Sequence, residues 1–239
     1  MLKNVNYSKI LFFDIETVPQ TFDYNELDER VQRLWDRKTR FLQQRENLNA
    51  EEVYEKAGIY AEFGKVVCIS LGFVMQKEGE THIRIKSIAN EDEIVLLQEF
   101  LDLLNSYYNS PDFLFCAHNG KEFDIPFLCR RILINDLKIP YILNVSGKKP
   151  WEIKHLDTME LWKFGDFKNY TSLDLLTYIF KIPTPKDDMD GGQVAKVFYQ
   201  DKDLDRIIHY CEKDVVATIQ LFRKYQGDPL IEEEFIQIA

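Results

Sequence analysis

The sequence predicts one α/β domain built on a mixed sheet. Short apolar runs bounded by turn residues alternate with longer segments whose apolar residues recur at helical spacing. Two of these runs, residues 65–75 (KVVCISLGFVM) and 81–88 (THIRIKSI), follow one another across QKEGE, the pattern of a hairpin. The remaining runs are separated by helical segments, which makes the sheet mixed. At 239 residues, 45% hydrophobic and 29% charged, the chain has a globular balance and the length of one sizeable domain.

The elements follow in order. Residues 9–18 read as a buried strand. Residues 20–64 read as a helical insertion inside the single domain 1–239. Within it, Leu27, Val31, Leu34, Phe41 and Leu42 recur at helical spacing among dense charges and predict an amphipathic helix over 25–47, with a second short helix at about 50–60. After the hairpin, Asn90 begins a helix with Glu93 as its capping-box partner and Ile94, Leu97, Leu101 and Leu104 as its inner face. Residues 112–119 (DFLFCAHN) form a buried strand, and a helix follows at about 124–136. Residues 155–159 (HLDTM) read as a short strand, 171–181 as a helix, 183–192 as a loop by their Pro, Asp and Gly content, and 203–225 as a long closing helix.

Net charge is −10. A protein that holds nucleic acid by charge alone is normally basic, so a nucleic-acid role here needs cations or a local patch. Cys68, Cys116, Cys129 and Cys211 form no CxxC pair and lie in or beside apolar runs, as reduced buried thiols do. The early apolar run is four residues long and ends in acid, unlike a signal peptide. No apolar stretch approaches the ~20 residues of a membrane span. A cytoplasmic protein is expected.

The acid at the end of the first strand is the informative feature. Asp14 and Glu16 in ILFFDIET share one face of a strand, with Ile15 on the other. Two like charges so close repel, and burial makes this worse. A hard divalent cation removes the penalty, although a solvated strand end would also accept the pair. His118-Asn119-Gly120-Lys121-Glu122-Phe123-Asp124 follows a buried strand and puts Asp124 at a helix start, where the dipole favours an anion and where Asp also serves as a plain N-cap. In the closing helix, Tyr210 and Asp214 stand at i, i+4 and share a face. His209 stands five before Asp214. At about 100° per residue it lies about 140° from Asp214, against about 40° for Tyr210, so geometry favours Tyr210.

Asp-x-Glu-Thr, Asn-Gly-x-x-Phe-Asp and Tyr-x3-Asp, in that order, resemble the DEDDy class of 3′–5′ exonucleases. More closely, the chain resembles the proofreading exonuclease domain of family-B DNA polymerases and the stand-alone bacterial proteins similar to it, over about residues 9–225. The resemblance implies a ribonuclease H-like fold with a five-stranded mixed sheet flanked by helices. It implies that Asp14, Glu16, Asp124 and Asp214 ligate two divalent metal ions, Mg²⁺ or Mn²⁺, and that Tyr210 positions or helps activate a water. Ile15, Thr17, Val18, Asn119, Phe123, Lys186 and Tyr210 would contact substrate, Lys186 through a Lys-x-x-hydrophobic loop. The implied chemistry is two-metal hydrolysis of the terminal phosphodiester, releasing 5′-mononucleotides.

The expected partner is single-stranded nucleic acid, DNA favoured over RNA, with no membrane. The 20–64 insertion offers a surface for a protein partner. A ribonuclease or oligonucleotide-degrading enzyme with the same residues, and a catalytically silent binding module on the same fold, are the competing readings. Residues 162–170 interleave aromatics with lysines, most simply core rings and solvated charges. Asp157 and Asp174 read as structural, with Asp157 the better outside candidate for the site. The chain runs about 25 residues past Asp214, so no polymerase domain and no proofreading in cis are expected.

Overall fold

The computed structural model describes residue 2 and residues 5–166, 170–183 and 189–239. Six strands form one sheet in the order β5-β4-β1-β2-β3-β6. They are β1 (Ile10–Pro19), β2 (Gly64–Lys77), β3 (Glu80–Ala89), β4 (Leu114–Ala117), β5 (Leu156–Asp157) and β6 (Ile236–Ile238). β1, β2 and β3 are antiparallel neighbours, β4 and β5 run parallel to β1, and β6 runs parallel to β3. The expected five-stranded mixed sheet is therefore present in the order β3-β2-β1-β4-β5, and the count is corrected to six by β6. The 77–80 turn is tight because Glu78 and Gly79 both take positive φ, 55° and 91°, the geometry that follows the twist of paired strands.

Helices cover both faces. They are α1 (Glu29–Glu46), α2 (Glu93–Tyr107), α3 (Asp124–Ile134), α4 (Thr158–Lys163), α5 (Leu173–Phe180), α6 (Val194–Lys196, continuing as a π turn over Val197–Asp201) and α7 (Leu204–Gln226). Alternation along β1 divides the core. Leu11, Phe13 and Ile15 pack with residues of α2 and α3 such as Leu97, Phe100 and Leu128. Ile10 and Phe12 pack with Val215, Ile219 and Phe222 of α7. α7 lies close to the sheet because Gly72 has no side chain: a Cβ there would stand 2.6 Å from Val215 Cγ1.

Two helix readings are corrected. In α1 the buried stripe centres on Trp35, and Leu34 and Phe41 face solvent. In α2 the N-cap is Asp92, whose carboxylate accepts from the Ile94 N–H. Ile94 is exposed, and Leu96 and Phe100 join Leu97, Leu101 and Leu104 inside. The short helix expected at 50–60 is a 3-10 helix, Glu52–Ile59. The four cysteines are free thiols, and no described helix is long and apolar enough to cross a membrane.

Candidate metal centre

Asp14 and Glu16 lie on β1 just past Phe12, where pairing with β4 ends and pairing with β2 continues. Immediately after Glu16 the β1–β2 register slips: Glu16 faces Cys68 but Thr17 faces Val66, leaving Val67 unpaired. Such a bulge bends a ladder and re-aims side chains. Ile15 points into the core as expected.

Asp124 arrives on the first residue of α3 and is buried. The preceding loop is drawn tightly onto β4. A Cβ on Gly120 would lie 2.4 Å from Ala117 Cβ, so only glycine lets the chain turn there. Asn119 takes φ 67°. The Asp157 carboxylate, itself buried, accepts from the N–H groups of Asn119 (3.0 Å) and Lys121 (3.1 Å). It also caps α4 through Met159 and Glu160. The Asp157 clamp is a contribution that its sequence context, Asp before a helical segment, reveals only as a cap.

Tyr210 and Asp214 come from α7, one turn apart, and the Tyr210 hydroxyl bonds to Asp214. Cys211, between them, is buried, with its thiol 3.5 Å from both the Asp14 carbonyl oxygen and Oδ2. Ligand atoms of Asp14, Glu16 and Cys211 all fall within 4.8 Å of one another. The sequence reading misses this proximity of Cys211 to the acids; its signal is the i, i+3 spacing to Asp214 on a face turned to β1.

The electrostatics describe one site. Burial pushes the Asp14 carboxyl well above the usual range, and the charges of Asp124, Glu16 and Asp214 push it further. Glu16 is pushed well up by burial first, then by Asp214, Cys68 and Asp124. Asp124 is raised to about 7 by burial, with Asp157 adding to the rise and the N–H groups of Asp124 and Ile15 opposing it. The Tyr210 phenol is pushed up by burial, then by Asp214, Glu16 and Asp14, and stays protonated. All four expected acids and Tyr210 thus act on one another. His209 does not join them: its side chain is 61% exposed, with Nδ1 4.0 Å from Glu212.

A divalent cation fits these residues. The donors are carboxylate oxygens, which hard cations prefer, and Asp124 Oδ1 is buried without a hydrogen-bond partner, a cost that a cation would remove.

The expected substrate contacts divide. Ile15 and Val18 are buried, so only their backbone could face a ligand. Thr17 is half-buried at the bulge. Asn119 Oδ1 is buried and unpartnered. Phe123 is partly buried against the core, its ring 5.5 Å from Phe127. Lys186 lies outside the described residues, as do 167–169 of the aromatic and lysine segment. In that segment Trp162 is stacked on Tyr225 at 6.1 Å as a core ring, whereas Phe164 and Tyr170 are exposed. His118 is held between Thr158 Oγ1 and the Thr171 carbonyl, both at 2.9 Å, as a structural bridge.

Comparison with known proteins adds the family. The model of a predicted 3′–5′ exonuclease related to the exonuclease domain of PolB matches residues 59–235, a span that includes Asp124, Tyr210 and Asp214. Among solved structures, E. coli exonuclease I in complex with a dT13 oligonucleotide is similar at 12% identity and a TM-score of 0.43, over 91% of this chain and 40% of that one. E. coli exonuclease I with a 5cy-dT13 oligonucleotide is similar at 12% identity and 0.38, over 93% and 42%. The chain thus spans less than half the length of these proteins, and superposition at that level is too loose to carry residue correspondences.

Proposed function

The chain belongs to the family of predicted 3′–5′ exonucleases related to the exonuclease domain of PolB, and from that premise we propose that it is a metal-dependent 3′–5′ exonuclease of single-stranded nucleic acid, DNA in preference to RNA. The observation that carries the reading is the convergence of Asp14, Glu16, Asp124 and Asp214, with the Tyr210 hydroxyl bonded to Asp214. Asp14, Glu16, Asp124 and Asp214 would hold two divalent ions, Mg²⁺ or Mn²⁺. Bound there, the ions supply a water of lowered pKa and charge neutralisation at the phosphodiester.

The residues of the chain do the rest. Glu16 and Asp124 are buried and Asp14 and Asp214 half-buried, so the carboxylates would present their oxygens in a fixed arrangement. Tyr210, a phenol that keeps its proton, donates it to Asp214 and would offer its oxygen lone pairs to the attacking water, positioning that water rather than deprotonating it. Thr17 and the Asn119 amide would engage the terminal nucleotide, and Phe123 would lend a ring edge to its base. On this reading the chain falls in the tyrosine subclass rather than in the sister subclass that uses a histidine five before the last acid, where His209 stands.

The test is hydrolysis of 5′-labelled single-stranded DNA and matched RNA in Mg²⁺, Mn²⁺ and EDTA. A ladder that shortens from the 3′ end, requires metal, and falls by at least about a hundredfold with Asp14→Ala is expected. Tyr210→Phe should lower kcat by about tenfold to a hundredfold and His209→Ala by less than about twofold. Loss of activity in His209→Ala with Tyr210→Phe intact would reverse the subclass. Absence of hydrolysis on both polymers in both metals would overturn the reading in favour of a binding module.

A further inference from the structure

The 20–64 insertion carries a feature that the metal centre does not use. Helix α1 holds Arg30, Arg33, Arg37, Lys38, Arg40 and Arg45, the densest run of basic side chains in a chain of net charge −10. All six are exposed. At about 100° per residue, Arg30, Leu34, Arg37 and Phe41 fall within about 60° of arc, flanked by Arg33, Gln44 and Arg45, with Lys38 and Arg40 at the margins. The exposed positions agree: besides these residues only Glu29, at the first turn, is exposed, and it is paired with Arg33. The other two acids of the helix are turned inward. Asp36 accepts from Gln43, and Glu46 is held by Arg45 and Lys56. Arg30, Arg37 and Arg40 have no ion pair among the described residues. In the middle of this face Phe41 is 77% and Leu34 47% exposed.

The face is rigidly mounted. On the opposite side of α1, Trp35 is fully buried, edge-on to Tyr54, Tyr60 and Phe63, and donates to the Ala50 carbonyl at 2.7 Å. This small core is anchored where β1 ends, directly beyond Glu16. Gly58 lies so close to Thr17 and Val18 that a Cβ would be 3.3 Å from their backbone. The Gln20 N–H donates to the Phe63 carbonyl, and the Tyr199 hydroxyl reaches the carbonyls of Pro19 and Gln20.

We infer that the exposed face of α1 is a docking track for the phosphate backbone of the single strand beyond the nucleotides held at the metal centre, with Phe41 as a stacking platform. The inference rests on the exonuclease reading and names the surface that reading lacks. An acidic site in an acidic protein repels the rest of a polyanion, and a strand longer than its terminal nucleotides has to leave the site. The basic side chains run for about 22 Å along the helix, an exposed ring sits among them, and arginines beside an aromatic ring hold single strands without regard to sequence.

The test uses the full chain with Arg30→Gln, Arg33→Gln, Arg37→Gln and Arg40→Gln combined, and separately Phe41→Ala. All lie opposite Trp35, so melting temperatures should match the wild type. Binding of fluorescent oligo-dT of about 5 and about 30 nucleotides is read by anisotropy in EDTA over a salt series, and kcat/KM on both lengths in Mn²⁺. The combined variant should bind the long strand at least about tenfold more weakly. Its log–log salt slope should shrink by about 0.7 for each phosphate that is no longer neutralised. Its kcat/KM should fall about tenfold on the long strand and stay within about twofold on the short one. Phe41→Ala should weaken long-strand binding about fivefold or more. Unchanged binding of the long strand would overturn the inference and leave an acidic protein segment as the occupant. Equal losses on both lengths would overturn it too. Should the wild type hydrolyse neither length, the exonuclease reading fails, while binding in EDTA still decides whether this face holds a strand.

Discussion

One carboxylate, that of Asp157, accepts four backbone N–H groups, two from the loop that delivers Asp124 and two from the start of α4. Without it the Asn119 and Lys121 N–H groups lose their partners at a half-buried site, a cost on the order of 2–4 kcal/mol. Asp157→Ala should therefore lower unfolding free energy by about that much in a denaturant titration, and Asp157→Asn, which keeps one acceptor, by about half. Because Asn119 relies on the clamp to hold its positive φ, Asp157→Asn should lower kcat more than it raises KM; an unchanged kcat would confine Asp157 to stability. The acids themselves are legible in the sequence because their message is local: i, i+2 on a strand and i, i+4 on a helix place Asp14 beside Glu16 and Tyr210 beside Asp214 without any tertiary knowledge. The Asp157 clamp and the proximity of Cys211 to Asp14 are not, since they join residues 38 and 197 positions apart.

At the scale of elements, Glu93 is a junction rather than a cap. Its carboxylate accepts from Arg131 Nε and Nη2, from Asn135 Nδ2 and from the Val66 N–H, while Arg131 Nη1 donates to the Ala61 carbonyl. One buried ion pair thereby ties α2, α3, the end of the insertion and the strand just before the Val67 bulge. Removing one partner leaves the other charge buried, which costs about 3–5 kcal/mol. Glu93→Ala should fall in that range by chemical denaturation, whereas Glu93→Ala combined with Arg131→Met should recover a large part of it; a double variant no better than the single would mean that the loss comes from packing alone. A capping-box reading of Asn90 and Glu93 follows from spacing, and it fails because tertiary charge pairing claims Glu93 and leaves the cap to Asp92. The stripe of α1 departs from its pattern for a related reason: Leu34 and Phe41 obey helical spacing, but Trp35 chooses which face is buried. β6 carries no strand signal beyond Ile-Gln-Ile, and it forms because β3 presents an open edge. The elements β1, β2, β3 and α7 are legible because their pattern and their burial agree.

For the molecule as a whole, the cluster of Asp14, Glu16 and Asp124 makes stability depend on pH. Asp14, Glu16 and Asp124 each hold their proton more tightly folded than unfolded, Asp124 to about 7 against 3.8. Below the unfolded value both states are protonated and the centre costs nothing. Between 3.8 and about 7 the unfolded chain ionises while folded Asp124 does not, so its contribution is lost progressively as pH rises, and the loss levels off above about 7. The buried His155 acts in the opposite direction: it is depressed from 6.5 to about 4 by burial, so its contribution is full above 6.5 and is lost as pH falls through that window. A melting curve of the metal-free protein alone mixes the two. The difference between melts in Mn²⁺ and in EDTA isolates the acids, because the cation favours the ionised carboxylates and leaves His155, bonded to the Phe115 N–H and the Ile142 carbonyl, untouched. That difference should be small near about pH 5 and grow to several degrees by about pH 8. In Asp14→Asn, with one buried negative charge fewer to neutralise and one ligand fewer to bind, it should shrink at every pH. A difference that stays flat from about pH 5 to about pH 8 would mean that the cation does not bind at these carboxylates, and the proposal of a metal centre built on Asp14, Glu16, Asp124 and Asp214 would have to be abandoned with it.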